Sequence, residues 1–161
     1  MRRVFFSFDF DRDAWRAGQV RNSGIITSSK NILEFVDAAE WEAVKRKTNY
    51  EIEKWIDQQL ANTSVTAVLI GSQTSNSYWV KQELIKSWER GNGILGIYIH
   101  KCLDRNRLPD NKGSIEFGIS FKISGIGRSF QERFYTYDWV DDNGRLLIDS
   151  WIEKAAQQVG R

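Results

Sequence analysis

With 161 residues the chain has room for one domain with a substantial core and is too short for two ordinary ones. A net charge of +2 is too small to point to nucleic acid or another polyanion, and 13% aromatic residues with a single proline argue against disorder. One cysteine, Cys102, excludes an intramolecular disulfide and a thiolate cluster for zinc or iron–sulfur, so a reducing cytoplasm is the expected compartment.

Val4 to Phe8, VFFSF, is expected to be a buried strand: a short aromatic and β-branched run that stops at Asp9. The same run, broken by Ser7 and ended by Asp9, lacks the central region of a signal peptide. No later apolar stretch approaches bilayer length, so neither secretion nor membrane insertion is expected. A helix over Asp13 to about Arg21 follows, with Trp15 and Val20 as apolar anchors and Gly18 weakening it. After a polar loop, Ile32 to Val36 reads as a second strand ending in Asp37, and the segment after it, a loop with a helical turn, carries Trp41. Lys45, Arg46 and Lys47, the one tight basic run, read as a solvated face.

Thr48 and Glu51 have capping-box spacing and open a helix to about Leu60, whose Ile52, Trp55, Ile56 and Leu60 recur at helical intervals. Val65 to Ile70, VTAVLI, is apolar on both faces, as a strand inside a parallel sheet is. A small polar loop with Ser72 leads from it into a helix over Tyr78 to Arg90. Val80, Leu84 and Trp88 form the core stripe of this helix, while Trp79 and Glu83, four apart, share the neighbouring face. Ile94 to Ile99 is a fourth strand. His100 to Arg133 shows no convincing element, Phe134 to Val140 reads as a fifth strand, and Leu147, Ile148, Trp151, Ile152 and Ala155 stripe a last helix.

The alternation of strand and helix predicts an α/β fold: a single domain over 1–161 with a doubly wound, mostly parallel five-stranded sheet, helices on both faces and flavodoxin-like strand order. Loops leaving the carboxyl ends of such strands share one edge, where ligands bind. Those ends carry Asp9, Asp37, Ser72 and His100. With Trp41, Trp79 and Glu83 they compose a crevice of carboxylates, hydroxyls and aromatic faces that suits a nucleotide-sized ligand better than a metal. A phosphorelay receiver is excluded because the third strand ends in Ile70, Gly71 and Ser72 without the aspartate such a site needs. A phosphate loop after the first strand is excluded by the acidic DFDRD.

These residues match a known pattern. VFFSF (Val4 to Phe8), EFVDAAEW (Glu34 to Trp41) and above all YWVKQEL (Tyr78 to Leu84) resemble the three boxes of Toll/interleukin-1 receptor (TIR) domains, those of bacterial Thoeris anti-phage systems in particular. The resemblance implies NAD+ as substrate with no separate cofactor, cleavage at the nicotinamide–ribose bond, and a cyclic ADP-ribose signal for a downstream effector. It assigns Glu83 the catalytic role, with Phe6 and Ser7 on the floor of the site and Trp41 or Trp79 stacking on a base or beside the ribose. Asp9 can cap the first helix or touch substrate, Asp37 can hold its own loop, and His100 reads as a satisfied edge residue. The resemblance leaves open a phage trigger protein, a homo-oligomer, and a non-enzymatic adaptor that acts by self-association. The acidic segment after the first box and the irregular 100–133 region depart from the TIR pattern.

Overall fold

The computed structural model describes residues 2–23 and 38–161. In chain order the elements are β1 (Val4–Ser7), α1 (Phe10–Arg21), α2 (Ala38–Lys45), α3 (Asn49–Leu60), β2 (Val65–Ile70), a 3-10 turn (Thr74–Asn76) and α4 (Tyr78–Glu89). They continue with β3 (Gly93–Tyr98), β4 (Phe121–Ile123), β5 (Ile126–Arg128), α5 (Phe130–Arg133), β6 (Thr136–Asp138) and α6 (Gly144–Gln158).

Among the described residues, four strands form a parallel sheet in the order β1-β2-β3-β6, with β4 and β5 pairing apart as an antiparallel ribbon. The register aligns Ser7 with Val68, Val68 with Gly96, and Tyr98 with Asp138. The strand expected at Ile32 to Val36, and Asp37 at its end, lie outside the described residues. β2 is buried throughout, as a central parallel strand between two helical layers must be. Its Val65, Ala67 and Leu69 join Ala17 and Val20 of α1 and Ile148, Trp151 and Ile152 of α6 on one face. Its Val68 and Ile70 join Val80 and Leu84 of α4 on the other. Each Leu or Ile sealed in this way contributes about 1.5–3 kcal/mol of apolar transfer. Gly93 lets α6 lie directly on β3, because a Cβ there would stand 2.3 Å from the Ala155 carbonyl oxygen.

Local chemistry accounts for the helix boundaries. The Thr48 hydroxyl accepts from the Glu51 amide at 3.3 Å while the Glu51 carboxylate accepts from the Thr48 amide at 2.9 Å, the reciprocal box expected at the start of α3. α2 is a full eight-residue helix rather than a loop with one turn. In α1 the buried positions are Asp13, Arg16, Ala17 and Val20, a regular helical stripe. Trp15 stands off that stripe and is 60% exposed, so it is not a core anchor. Leu147 similarly sits at the exposed border of the α6 stripe.

The 100–133 region is ordered around two devices. The buried Arg16 guanidinium donates to the Cys102 and Leu108 carbonyls at 2.9 and 3.1 Å and stands 3.7–3.9 Å from Asp13, Asp104 and Asp110. A charge buried so deeply is tolerable only with such a shell. Further on, Phe121, Phe130 and Phe134 pack edge to face with one another, Trp88 meets Phe121 and Phe134 in the same way, and Phe117 leans on Phe130, closing the second face of the sheet.

Candidate functional site

The sheet brings the carboxyl end of β1 beside the middle of α4. On α4 the positions facing inward are Val80, Glu83, Leu84 and Ser87, so Glu83 lies within the buried stripe and not on its border. It is 6% exposed. Ser77 caps this helix by accepting from the Val80 amide at 3.3 Å, which fixes where the first turn begins and so where Glu83 points. The Ser7 hydroxyl donates to Glu83 Oε2, and among the described residues this is the hydrogen bond made by the carboxyl. Burial pushes the Glu83 carboxyl up to about 8, with the Ser7 hydrogen bond pulling the other way.

Glu83 lines a cavity of about 80 Å³ together with Phe5, Phe6, Phe8, Asp9, Phe10, Asp11, Trp41, Trp55, Ser77 and Trp79. Seven aromatic side chains and three carboxyls line it, and among the described residues no basic side chain does. Phe8 stacks on Phe10 at 5.2 Å between centroids, Phe10 on Trp41 at 5.7 Å, and Trp41 leans on Trp55 at 6.2 Å, forming a continuous aromatic wall. The Trp41 indole N–H is buried with no hydrogen-bond partner among the described residues. Asp11 is paired with Lys45 at 2.7 Å, and the Arg12 charge acts on Asp9. Burial raises Asp9 above the usual carboxylate range, with the Arg12 amide opposing. The volume is well short of the ~300 Å³ at which small-ligand pockets begin. A space of this size matches a single ring and not a whole dinucleotide.

The structure thus brings together Phe6, Asp9, Trp41, Trp79 and Glu83 from among the residues singled out in the sequence. Ser7 reaches the site through Glu83 and is fully buried rather than lining the cavity. Ser72 is not in this cavity: its hydroxyl donates to Asp110 at 2.8 Å, and the same carboxylate oxygen stands 3.9 Å from the buried Arg16. Asp37 lies outside the described residues. His100 is not a satisfied edge residue: it is 7% exposed, its Nδ1 lacks a partner among the described residues, and its Nε2 is 4.0 Å from Asp138. Burial also pushes the Cys102 thiol up to about 11, as suits an unreactive cysteine.

Sequence reasoning missed Phe5, Phe8, Phe10 and Trp55 as lining. The dense run FFSFDF was a usable signal, since a strand alternates faces and its end must expose aromatic rings to whatever packs there. Among the described residues no group of three or more His, Cys, Asp or Glu is arranged to hold a metal, and no helix is long and apolar enough to cross a membrane.

Comparison with known proteins agrees with this architecture. Residues 5–104 match the family model described as Thoeris protein ThsB, TIR-like domain, a span that includes β1 from Phe5 onward, α4 and the whole cavity lining. The chain is also 32% identical to a protein of Bacillus cereus (strain MSX-D12) named "Putative cyclic ADP-D-ribose synthase ThsB1", over 94% of this chain and 98% of the relative. The match spans nearly all of both chains, irregular 100–133 segment included, and the chain belongs to the ThsB family of Thoeris TIR-like domain proteins.

Proposed function

We propose that this chain is a TIR-type enzyme of a Thoeris anti-phage system that cleaves NAD+ at the nicotinamide–ribose bond. It converts the ADP-ribosyl group into a cyclic ADP-ribose signal for a downstream effector. The observation that carries the reading is the composition of the cavity: aromatic faces and carboxyls, Glu83 among them, with no basic side chain in the lining among the described residues. Such a lining suits a cationic pyridinium ring, which π faces attract, and is unsuited to a diphosphate, which Asp9 and Asp11 repel. The nicotinamide end enters, and the diphosphate and adenosine stay outside the acidic lip. Accepting the ribose as well requires the cavity to widen. The name of the Bacillus cereus relative supports the cyclic product.

The chemistry needs little machinery. The glycosidic C–N bond breaks with its electron pair leaving on the pyridine nitrogen, so nicotinamide departs neutral and no general acid is required. The ribosyl fragment takes on oxocarbenium character as in glycoside cleavage. Glu83, as carboxylate, accepts hydrogen bonds from ribose hydroxyls and stabilises that developing positive charge. Burial favours its protonated form; a pyridinium cation arriving in the same cavity favours the ionised one, so substrate binding itself prepares the carboxylate. Attack on the ribosyl carbon by a nitrogen or hydroxyl of the folded-back substrate gives a cyclic isomer, whereas water gives linear ADP-ribose. The apolar wall of Phe8, Phe10, Trp41 and Trp55 favours the former by excluding water. NAD+ acts as substrate, and no separate cofactor enters this scheme.

The test is nicotinamide release, followed by mass spectrometry, from NAD+ and from NADH in lysates of phage-infected cells expressing the protein. Release from NAD+ and not from the uncharged dihydropyridine of NADH is expected, with loss in Glu83→Gln. Equal nicotinamide release by wild type and Glu83→Gln, with both protecting cells, contradicts the reading and leaves a non-enzymatic adaptor.

A further inference from the structure

Ser7 stands out because it is fully buried, does not line the cavity, and yet makes the hydrogen bond that Glu83 receives among the described residues. It sits on β1, whose ladder to β2 aligns it with Val68, so the hydroxyl is carried by the most constrained part of the fold. Phe5, two residues earlier on the same face, packs with Trp41 and Ile56, which fixes the direction in which Ser7 points. A hydroxyl at this position has no apolar role: it is a buried polar group on a strand otherwise made of Val and Phe, and its hydroxyl is satisfied by Glu83.

We propose that Ser7 is a positioning residue for Glu83, holding one carboxylate oxygen by its hydroxyl so that the other stays oriented as the acceptor for a ribose hydroxyl, and steadying the ionised state that acceptance requires. A carboxylate accepts hydrogen bonds only, so a donor fixed on one oxygen sets the plane of the group and leaves the second oxygen for substrate. Without the donor the buried carboxyl has no partner for its charge, so ionising it when substrate arrives costs still more, and the protonated form it is held in cannot accept in the same way. The charged and titratable groups around Glu83 are few. Asp9 comes from the β1–α1 connection and Asp11 from the first turn of α1, where it is engaged by Lys45. α2 and α3 present Trp41 and Trp55 to the cavity, and the nearest ion pair of α4, Lys86 with Asp57, lies at the exposed junction with α3. None of these donates to the Glu83 carboxyl.

The catalytic half of this proposal rests on the NAD+ reading of the site, so the experiment separates the two. Protein labelled with carbon-13 at glutamate carboxyls is titrated by NMR without substrate, with the Glu83 signal assigned by its loss in Glu83→Gln. In Ser7→Ala the Glu83 midpoint is expected to rise by about one pH unit, on the order of tenfold in its ionisation equilibrium. Ser7→Thr, which keeps the donor, stays near wild type, and Ser7→Cys, a weaker donor of similar volume, lies between and serves if Ser7→Ala does not fold. In nicotinamide release from NAD+, the acid limb of kcat/KM moves with the midpoint, and kcat falls more than KM rises. An unmoved midpoint in Ser7→Ala and Ser7→Cys, or one that Ser7→Thr fails to restore, overturns the positioning role. A moved midpoint in a protein that never releases nicotinamide upholds the Ser7–Glu83 coupling and overturns the NAD+ reading instead.

Discussion

Glu83→Gln is expected to stabilise the protein, by an amount that grows with pH. Burial lifts the folded-state carboxyl from 4.5 to about 8. Below pH 4.5 the group is protonated in both folded and unfolded chains and contributes no pH dependence. As pH rises above 4.5 the unfolded chain releases its proton while the folded chain keeps it, so wild-type stability falls by about 1.4 kcal/mol per pH unit until the folded group also ionises near 8. At pH 7 the accumulated penalty is about 3 kcal/mol, a large fraction of the roughly 5–15 kcal/mol that holds a domain folded. Glutamine keeps the shape and an acceptor for the Ser7 hydroxyl without the titration. Asp13, which burial pushes up to about 6, titrates in both proteins and cancels in the difference. Urea unfolding of wild type and Glu83→Gln from pH 4 to 8.5 reads this directly. Two curves that diverge steadily above pH 4.5 support a buried, reluctantly ionised carboxyl; a constant offset across the range refutes it. Stability surrendered by a single side chain is the pattern expected of a functional group held in a hostile environment.

Two structural predictions follow from contacts away from the cavity. Thr48→Ala removes the acceptor for the Glu51 amide and is expected to cost about 1 kcal/mol in urea unfolding, with no change in the nucleotide profile. Gly93→Ala drives a Cβ to 2.3 Å from the Ala155 carbonyl oxygen, a backbone atom of α6 that cannot turn aside; a loss of about 1–3 kcal/mol is expected, read as a lowered thermal midpoint.

What the sequence made legible is the part governed by local rules. VTAVLI could be read as a central strand because it is apolar on both faces, and Thr48 with Glu51 as a helix start because the box is chemical and contiguous. Glu83 and Trp79 were legible as neighbours through their four-residue spacing, and the cavity does include both. The depth of Glu83 was not, since its burial depends on Ser7, seventy-six residues away, and on the aromatic wall beyond it. Ser72 was misplaced for the same kind of reason: its partner Asp110, thirty-eight residues away, comes from a segment held by Arg16, a buried charge far from both in sequence. The 100–133 region held signals that were overlooked. Ser124 and Gly125 both adopt positive φ between Ile123 and Ile126, a primed hairpin turn with its expected glycine, and Ser129 with Glu132 is a second capping box. Both elements are only three or four residues long, too short for hydrophobic periodicity to register.

The central claim is that Glu83 turns NAD+ into a cyclic signal, and the most direct measurement is the nucleotide content of phage-infected cells carrying either wild type or Glu83→Gln. Mass spectrometry is predicted to find an ADP-ribose isomer that is distinct from linear ADP-ribose with wild type, and none with Glu83→Gln, which also loses protection. The same isomer at the same level in both, or full protection by Glu83→Gln, would contradict the account.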